Sequence, residues 1–114
     1  LKQVFLNIIL NAVEAMSQNP PERSRTLIIS IEKGASIDDH SHYLLLSFED
    51  SGKGIGEKDL DHIFNPFFTT KDEGTGLGLA ICYGIINRHE GEIEVHSTPG
   101  KGTCFTIKLP QYIV

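Results

Sequence analysis

Apolar residues recur at steps of three and four over residues 3 to 16, at Val4, Phe5, Ile8, Ile9, Ala12, Val13 and Met16. That spacing lines one face of an α-helix, and Pro20-Pro21 limits how far it can run. Leu27 to Lys33 and Tyr43 to Glu49 carry short β-rich runs instead, which predict two strands of a hairpin separated by a long polar loop from Gly34 to His42. Helical spacing returns from Gly76 to His89 through Leu77, Ala80, Ile81, Gly84, Ile85 and Arg88, with Gly91 as the expected stop. Glu92 to Ser97 and Thr103 to Leu109 read as a second hairpin around Thr98-Pro99-Gly100-Lys101-Gly102. In its last strand Phe105, Ile107 and Leu109 alternate with Cys104, Thr106 and Lys108. Residues 57 to 75 hold no sustained period beyond a helical turn near Asp59 to Phe64, and a segment of that length inside a compact domain reads as a functional loop, here a lid.

The order helix, strand, strand, lid, helix, strand, strand predicts an α/β fold, a two-layer α/β sandwich with a mixed, mostly antiparallel sheet backing the helices. Because the pattern opens inside a helix with no capping residue, residues 1–114 are expected to be one domain of a larger protein, truncated at its start. A doubly wound dinucleotide fold and a P-loop are disfavoured, since neither glycine-rich fingerprint is present.

Composition narrows the class. With 114 residues, 39% hydrophobic and 22% charged, the chain is long enough to bury a core without metal or disulfide staples. The net charge of −5 offers no basic stripe for nucleic acid. Its longest apolar runs, Ile8-Ile9-Leu10 and Leu44-Leu45-Leu46, are far too short to cross a bilayer. Cys82 and Cys104 have no CxxC spacing, and both are read as buried thiols of a reducing, cytoplasmic compartment.

Candidate chemistry lies in two glycine clusters and a pair of amides. Asp50 ends a strand and leads into Ser51-Gly52-Lys53-Gly54-Ile55-Gly56, so its carboxylate projects from a rigid element. A carboxylate accepts from the exocyclic amine of adenine and repels the carbonyl oxygen of guanine. An Asx-turn before a glycine explains the same residue. Asn7 and Asn11, four apart on one helical face, suit a hard cation such as Mg²⁺, or are two satisfied amides on a half-buried helix. Gly74-Thr75-Gly76-Leu77-Gly78-Leu79-Ala80 opens a helix whose free N–H groups favour a phosphate chain; a packing loop is the alternative. Lys71 is placed to reach a terminal phosphate, or is simply solvated. Phe64, Phe67 and Phe68 either dock when the lid closes or belong to a permanently packed loop.

Four elements in this order resemble the catalytic and ATP-binding domain of bacterial sensor histidine kinases, in the superfamily shared with gyrase B, MutL and the large heat-shock chaperone. Leu6-Asn7 through Asn11-Ala12 is similar to the N box, Asp50 through Gly54 to the G1 box, Phe64 through Lys71 to the F box, and Gly74 through Ala80 to the G2 box. Gly100 through Pro110 resembles the kinases' closing strand, and the Glu14-Ala15-Met16 ending looks most like the nitrogen-regulator and sporulation kinase branches. Many members have a lysine and an aromatic where Glu14 and Ala15 stand.

The resemblance implies a cytoplasmic domain that binds Mg²⁺ and ATP. It assigns Asp50 to adenine; Asn11, Gly52, Gly54, Ile55, Lys71, Thr75, Gly76, Leu77, Gly78 and Leu79 to the rest of the nucleotide; Asn7 and Asn11 to the metal; and Asn7 and Lys71 to the chemistry. It further implies donation of the γ-phosphoryl group to a histidine on a separate dimerisation domain, a homodimeric parent that is cytoplasmic or anchored in the inner membrane, and a response regulator downstream. His89-Glu90 is rejected as an acceptor because Gly91 ends the helix at once. The alternative is a conformational switch ATPase of the chaperone and MutL type, although the amide of Asn7 cannot act as base for an attacking water.

Overall fold

The computed structural model describes residues 1–35, 42–66 and 78–111. Seven elements follow one another among the described residues: α1 (Lys2–Met16), β1 (Leu27–Ala35), β2 (His42–Asp50), α2 (Glu57–Leu60), α3 (Gly78–Arg88), β3 (Glu92–Thr98) and β4 (Gly102–Gln111). Strands β1 and β2 form one hairpin and β3 and β4 another. Pairing of β2 with β4 joins them in the order β1-β2-β4-β3. Every ladder among the described strands is antiparallel, so the described sheet is purely antiparallel rather than mixed: each neighbouring pair is a hairpin or joins two hairpins head to tail.

Strand periodicity places the core. Phe105, Ile107 and Leu109 of β4 face Phe48, Leu46 and Leu44 of β2 in register, and the helices cover that side. Val4 and Ile8 from α1 and Cys82 and Ile86 from α3 complete the buried cluster, with Ile63 entering from the turn after α2. The helical layer lies over β2 and β3 rather than β1. Ile29 and Ile31 share the helix-facing side with Phe48 and Leu46, yet remain 49% and 66% exposed on the edge strand.

Two readings need correction. Cys104 is only half-buried, because it alternates with Phe105 and falls on the uncovered face beside Thr106; Cys82 is buried as expected. The left-handed residue that ends α3 is Glu90, with φ of 60°, rather than Gly91. Gly91 donates its N–H to the Ile86 carbonyl at 2.9 Å, and a Cβ there would stand 2.6 Å from the Lys108 carbonyl oxygen. Glycine is required at that point for close approach to β4. Phe64 packs on the body, 5.5 Å from the Tyr83 ring and edge-on to Phe105 at 6.5 Å, while Phe67 and Phe68 lie outside the described residues.

Candidate functional site

Asp50 closes β2 opposite Thr103 of β4, and only 6% of it is exposed. Its Oδ1 accepts the Gly52 N–H at 2.8 Å and the Thr103 N–H at 3.3 Å. The Asx-turn is therefore present, but it holds the carboxylate by one oxygen. No described residue donates to Oδ2, which keeps its capacity as an acceptor. Burial raises the carboxyl above the usual aspartate range; the two backbone donors and the Arg23 guanidinium pull it back, and Glu49 adds to the rise.

The loop after Asp50 is pressed against the protein on two sides. A Cβ on Gly52 would stand 2.8 Å from both the Cβ and the carbonyl oxygen of Ala15, and Lys53 N–H donates to that carbonyl at 3.1 Å. Gly54, with φ of 77°, abuts the Thr98 carbonyl, and Gly100 N–H donates to the Lys53 carbonyl at 2.7 Å. Ile55 is half-buried against the core, and its N–H donates to Ser97 Oγ at 2.7 Å. Ser97 in turn donates to the Gly102 carbonyl and pairs with the Thr103 hydroxyl. The first-cluster glycines thus allow the loop to lie on the end of α1 and on the β3–β4 turn, which fixes Asp50 from below. Gly54→Ala combines a positive-φ penalty with a collision against fixed backbone. It is expected to lower stability by at least about 1–2 kcal/mol in denaturant unfolding.

Asn7, Asn11 and Ala15 form a row on α1 at i, i+4 and i+8. At 1.5 Å per residue the row spans about 12 Å. One end meets the start of α3, where Asn7 Nδ2 donates to the Gly78 carbonyl at 3.4 Å. The other end is Ala15, in contact with Gly52 beside Asp50. A carbonyl can only accept, so the Asn7 amide nitrogen is turned toward α3 and its Oδ1 is the remaining acceptor. The same side chain bonds the Cys82 thiol, which burial pushes up and Asn7 pulls down; Cys82 Sγ lies 3.8 Å from the Val4 carbonyl. Asn11 is half-buried between the two ends. Gly78 is exposed, and a Cβ there would meet no atom of the described residues within 4 Å; Leu79 packs against the core.

The fold thus brings Asn7, Asn11, Asp50, Gly52, Gly54, Ile55, Gly78 and Leu79 to one side of the helical layer and the adjoining strand ends. Lys71, Thr75, Gly76 and Leu77 lie outside the described residues. Sequence reading missed Thr103, Ser97, Asn19 and Arg23. Asn19 is buried and donates to the carbonyls of Ser24 and Ser51 at 3.0 and 2.9 Å, and Arg23 donates to the Gly52 carbonyl at 2.6 Å. The Gly102-Thr103 step gave a turn signal; Arg23, in a polar connection, gave none. No group of three or more His, Cys, Asp or Glu among the described residues is placed to hold a metal, and no helix among them is long and apolar enough to cross a membrane.

Comparison with known proteins identifies the lineage. A family model for histidine kinase-, DNA gyrase B-, and HSP90-like ATPases matches residues 1–113. Sensor histidine kinase ZraS of Escherichia coli K12 is 46% identical over 113 residues, covering 96% of this chain and 21% of ZraS. Sporulation kinase A of Bacillus subtilis 168 is 47% identical over 111 residues, covering 97% of this chain and 16% of that kinase. The crystal structure of full-length ShkA in complex with AMPPNP superimposes with a TM-score of 0.75 at 27% identity, covering 95% of this chain and 20% of ShkA. The chain therefore spans about a fifth or less of the length of these proteins. Matched along nearly its whole length, it belongs to the histidine kinase-, DNA gyrase B-, and HSP90-like ATPase family.

Proposed function

We propose that this chain is the ATP-binding catalytic domain of a protein-histidine kinase, binding Mg²⁺ and ATP and donating the γ-phosphoryl group to a histidine on a separate dimerisation domain. The observation that carries the reading is the α1 row. It connects an oriented buried acceptor at Asp50 with the N-terminus of α3, about the reach of a nucleotide from base to phosphates. High identity to sensor kinases and the likeness to a structure holding AMPPNP, an imido analogue of ATP, support the kinase branch.

Each residue has a role in that reading. Asp50 Oδ2 accepts from the adenine amine, while Gly52 and Thr103 hold Oδ1. The first-turn N–H groups of α3 and the open approach at Gly78 receive phosphate oxygens. Mg²⁺ neutralises charge on the phosphates when bound, and the amide oxygens of Asn7 and Asn11 are donors of the hard type it takes. Lys71, Thr75, Gly76 and Leu77 extend the phosphate side. Phosphoryl transfer is chiefly positioning and charge neutralisation, so the acceptor histidine comes from outside this domain. The parent is a homodimer, cytoplasmic or anchored in the inner membrane, and a response regulator takes the phosphoryl group onward.

The test is transfer in trans. With γ-labelled ATP, the chain should place acid-labile label on an added histidine-bearing helical domain and none on itself. Label on the chain alone would contradict the division of labour. Phosphate release that needs no acceptor would favour a switch ATPase.

A further inference from the structure

Arg23 lies in the connection between α1 and β1, outside every motif that resembles the family's. Its neighbourhood is an organised latch. Arg23 N–H donates to the Pro20 carbonyl at 2.9 Å, closing a turn. Asn19 ties Ser24 to Ser51, and Ser51 Oγ donates to the Ser24 carbonyl at 2.8 Å while accepting the Thr26 N–H at 2.9 Å. The half-buried Arg23 side chain therefore starts from a fixed point and reaches the Gly52 carbonyl at 2.6 Å, a short charge-assisted bond. Gly52 is the same residue whose N–H holds Asp50 Oδ1.

We infer that Arg23 is a positioning residue for base recognition: it clamps the Gly52 carbonyl, and with it the residue whose N–H holds Asp50 Oδ1, and brings a positive charge to that loop, so that the acceptor is fixed in direction. This rests on the nucleotide reading above. The other charges nearby do not duplicate it. Arg25 gives its guanidinium to the carbonyls of Ser17 and Asn19, and Lys53 on the loop itself is exposed. From β4 the carboxylate meets the Thr103 N–H, and α1 brings the uncharged Ala15 and Met16 to the loop. On its own strand Glu49 opposes the anion, and among the described residues Arg23 is the cation that counters it. A half-buried arginine thus supports a charged group that burial disfavours.

Two substitutions separate charge from clamp. Arg23→Gln keeps a donor for Gly52 and removes the charge; Arg23→Lys keeps the charge on a different geometry. Asp50 is followed by carboxyl carbon NMR in the nucleotide-free chain, and ATP affinity is measured against pH on the same samples. For Arg23→Gln the Asp50 titration and the acid limb of ATP binding should both move to higher pH, with affinity on that limb weakened about threefold to tenfold. Arg23→Lys should return both limbs toward wild type. Wild-type ATP binding with neither limb moved by Arg23→Gln overturns the inference and leaves nucleotide binding standing. A folded wild-type chain that binds no ATP overturns the nucleotide reading and Arg23's role in it, even if the Asp50 titration still responds.

Discussion

Asp50→Asn will weaken ATP binding about 10- to 100-fold while the domain stays folded, the loss expected when a hydrogen bond to a charged acceptor is removed. Geometry gives the substitution its force. Because Oδ1 is held by the N–H groups of Gly52 and Thr103, asparagine must keep its oxygen there and put its Nδ2 where Oδ2 stood. A donor then faces the donor amine of adenine, and the preference for ATP over GTP collapses with the affinity. The pH dependence has a definite sign. Burial raises the Asp50 pKa, so as pH falls the carboxylate is protonated sooner than an ordinary aspartate and ATP affinity drops along that limb. Stability runs the other way. With the folded-state pKa above the unfolded value, the contribution of this group favours the fold below the unfolded pKa and is lost as pH rises through the folded one. Asp50→Asn removes both limbs. Calorimetric titration with ATP and GTP across pH, beside thermal melts of the free chain, checks each half.

Ile107→Ala is the largest single loss expected in stability, about 2–5 kcal/mol. Ile107 has 0% exposure, pairs with Leu46 on one side and Ile93 on the other, and joins the cluster that Ile8 and Ile86 close from the helices. Truncation there leaves a cavity where both layers meet, and the loss is a large share of the roughly 5–15 kcal/mol that holds a domain of this size. Ile31→Ala is the counterpart. It lies on the same side of the sheet, yet on an edge strand at 66% exposure, and should change stability by less than about 0.5 kcal/mol. Equal losses in urea unfolding at the two positions would mean that the helical layer extends over β1.

The contrast shows which parts of the fold the sequence makes legible. Elements long enough to display a period are legible: α1 was expected over residues 3 to 16 and runs Lys2–Met16, and both hairpins appear with boundaries extended by a residue or two. α2 is a single turn, Glu57–Leu60, begun at Gly56 and too short to show a stripe. The apolar character of Cys104 suggests burial, but the strand alternation sets it beside Thr106 on the open face. The candidate site was legible where one residue type does one thing, as with Asp50, Asn7 and Asn11. Its supports were not. Thr103 reaches Asp50 across 53 positions of chain, Asn19 reaches Ser51 across 32 and Arg23 reaches Gly52 across 29, and no local pattern encodes such contacts. The resemblance assigns Gly52 and Gly54 to the nucleotide, yet a Cβ at either would first meet the protein itself, at Ala15 and at Thr98.

The most direct test of the account is a calorimetric titration of the folded chain with ATP and with GTP in the presence of Mg²⁺. The account predicts saturable ATP binding with GTP at least about tenfold weaker, the discrimination that one well-placed buried acceptor provides. Equal affinity for the two nucleotides, or binding of neither by a chain whose melt shows a cooperative fold, would contradict it.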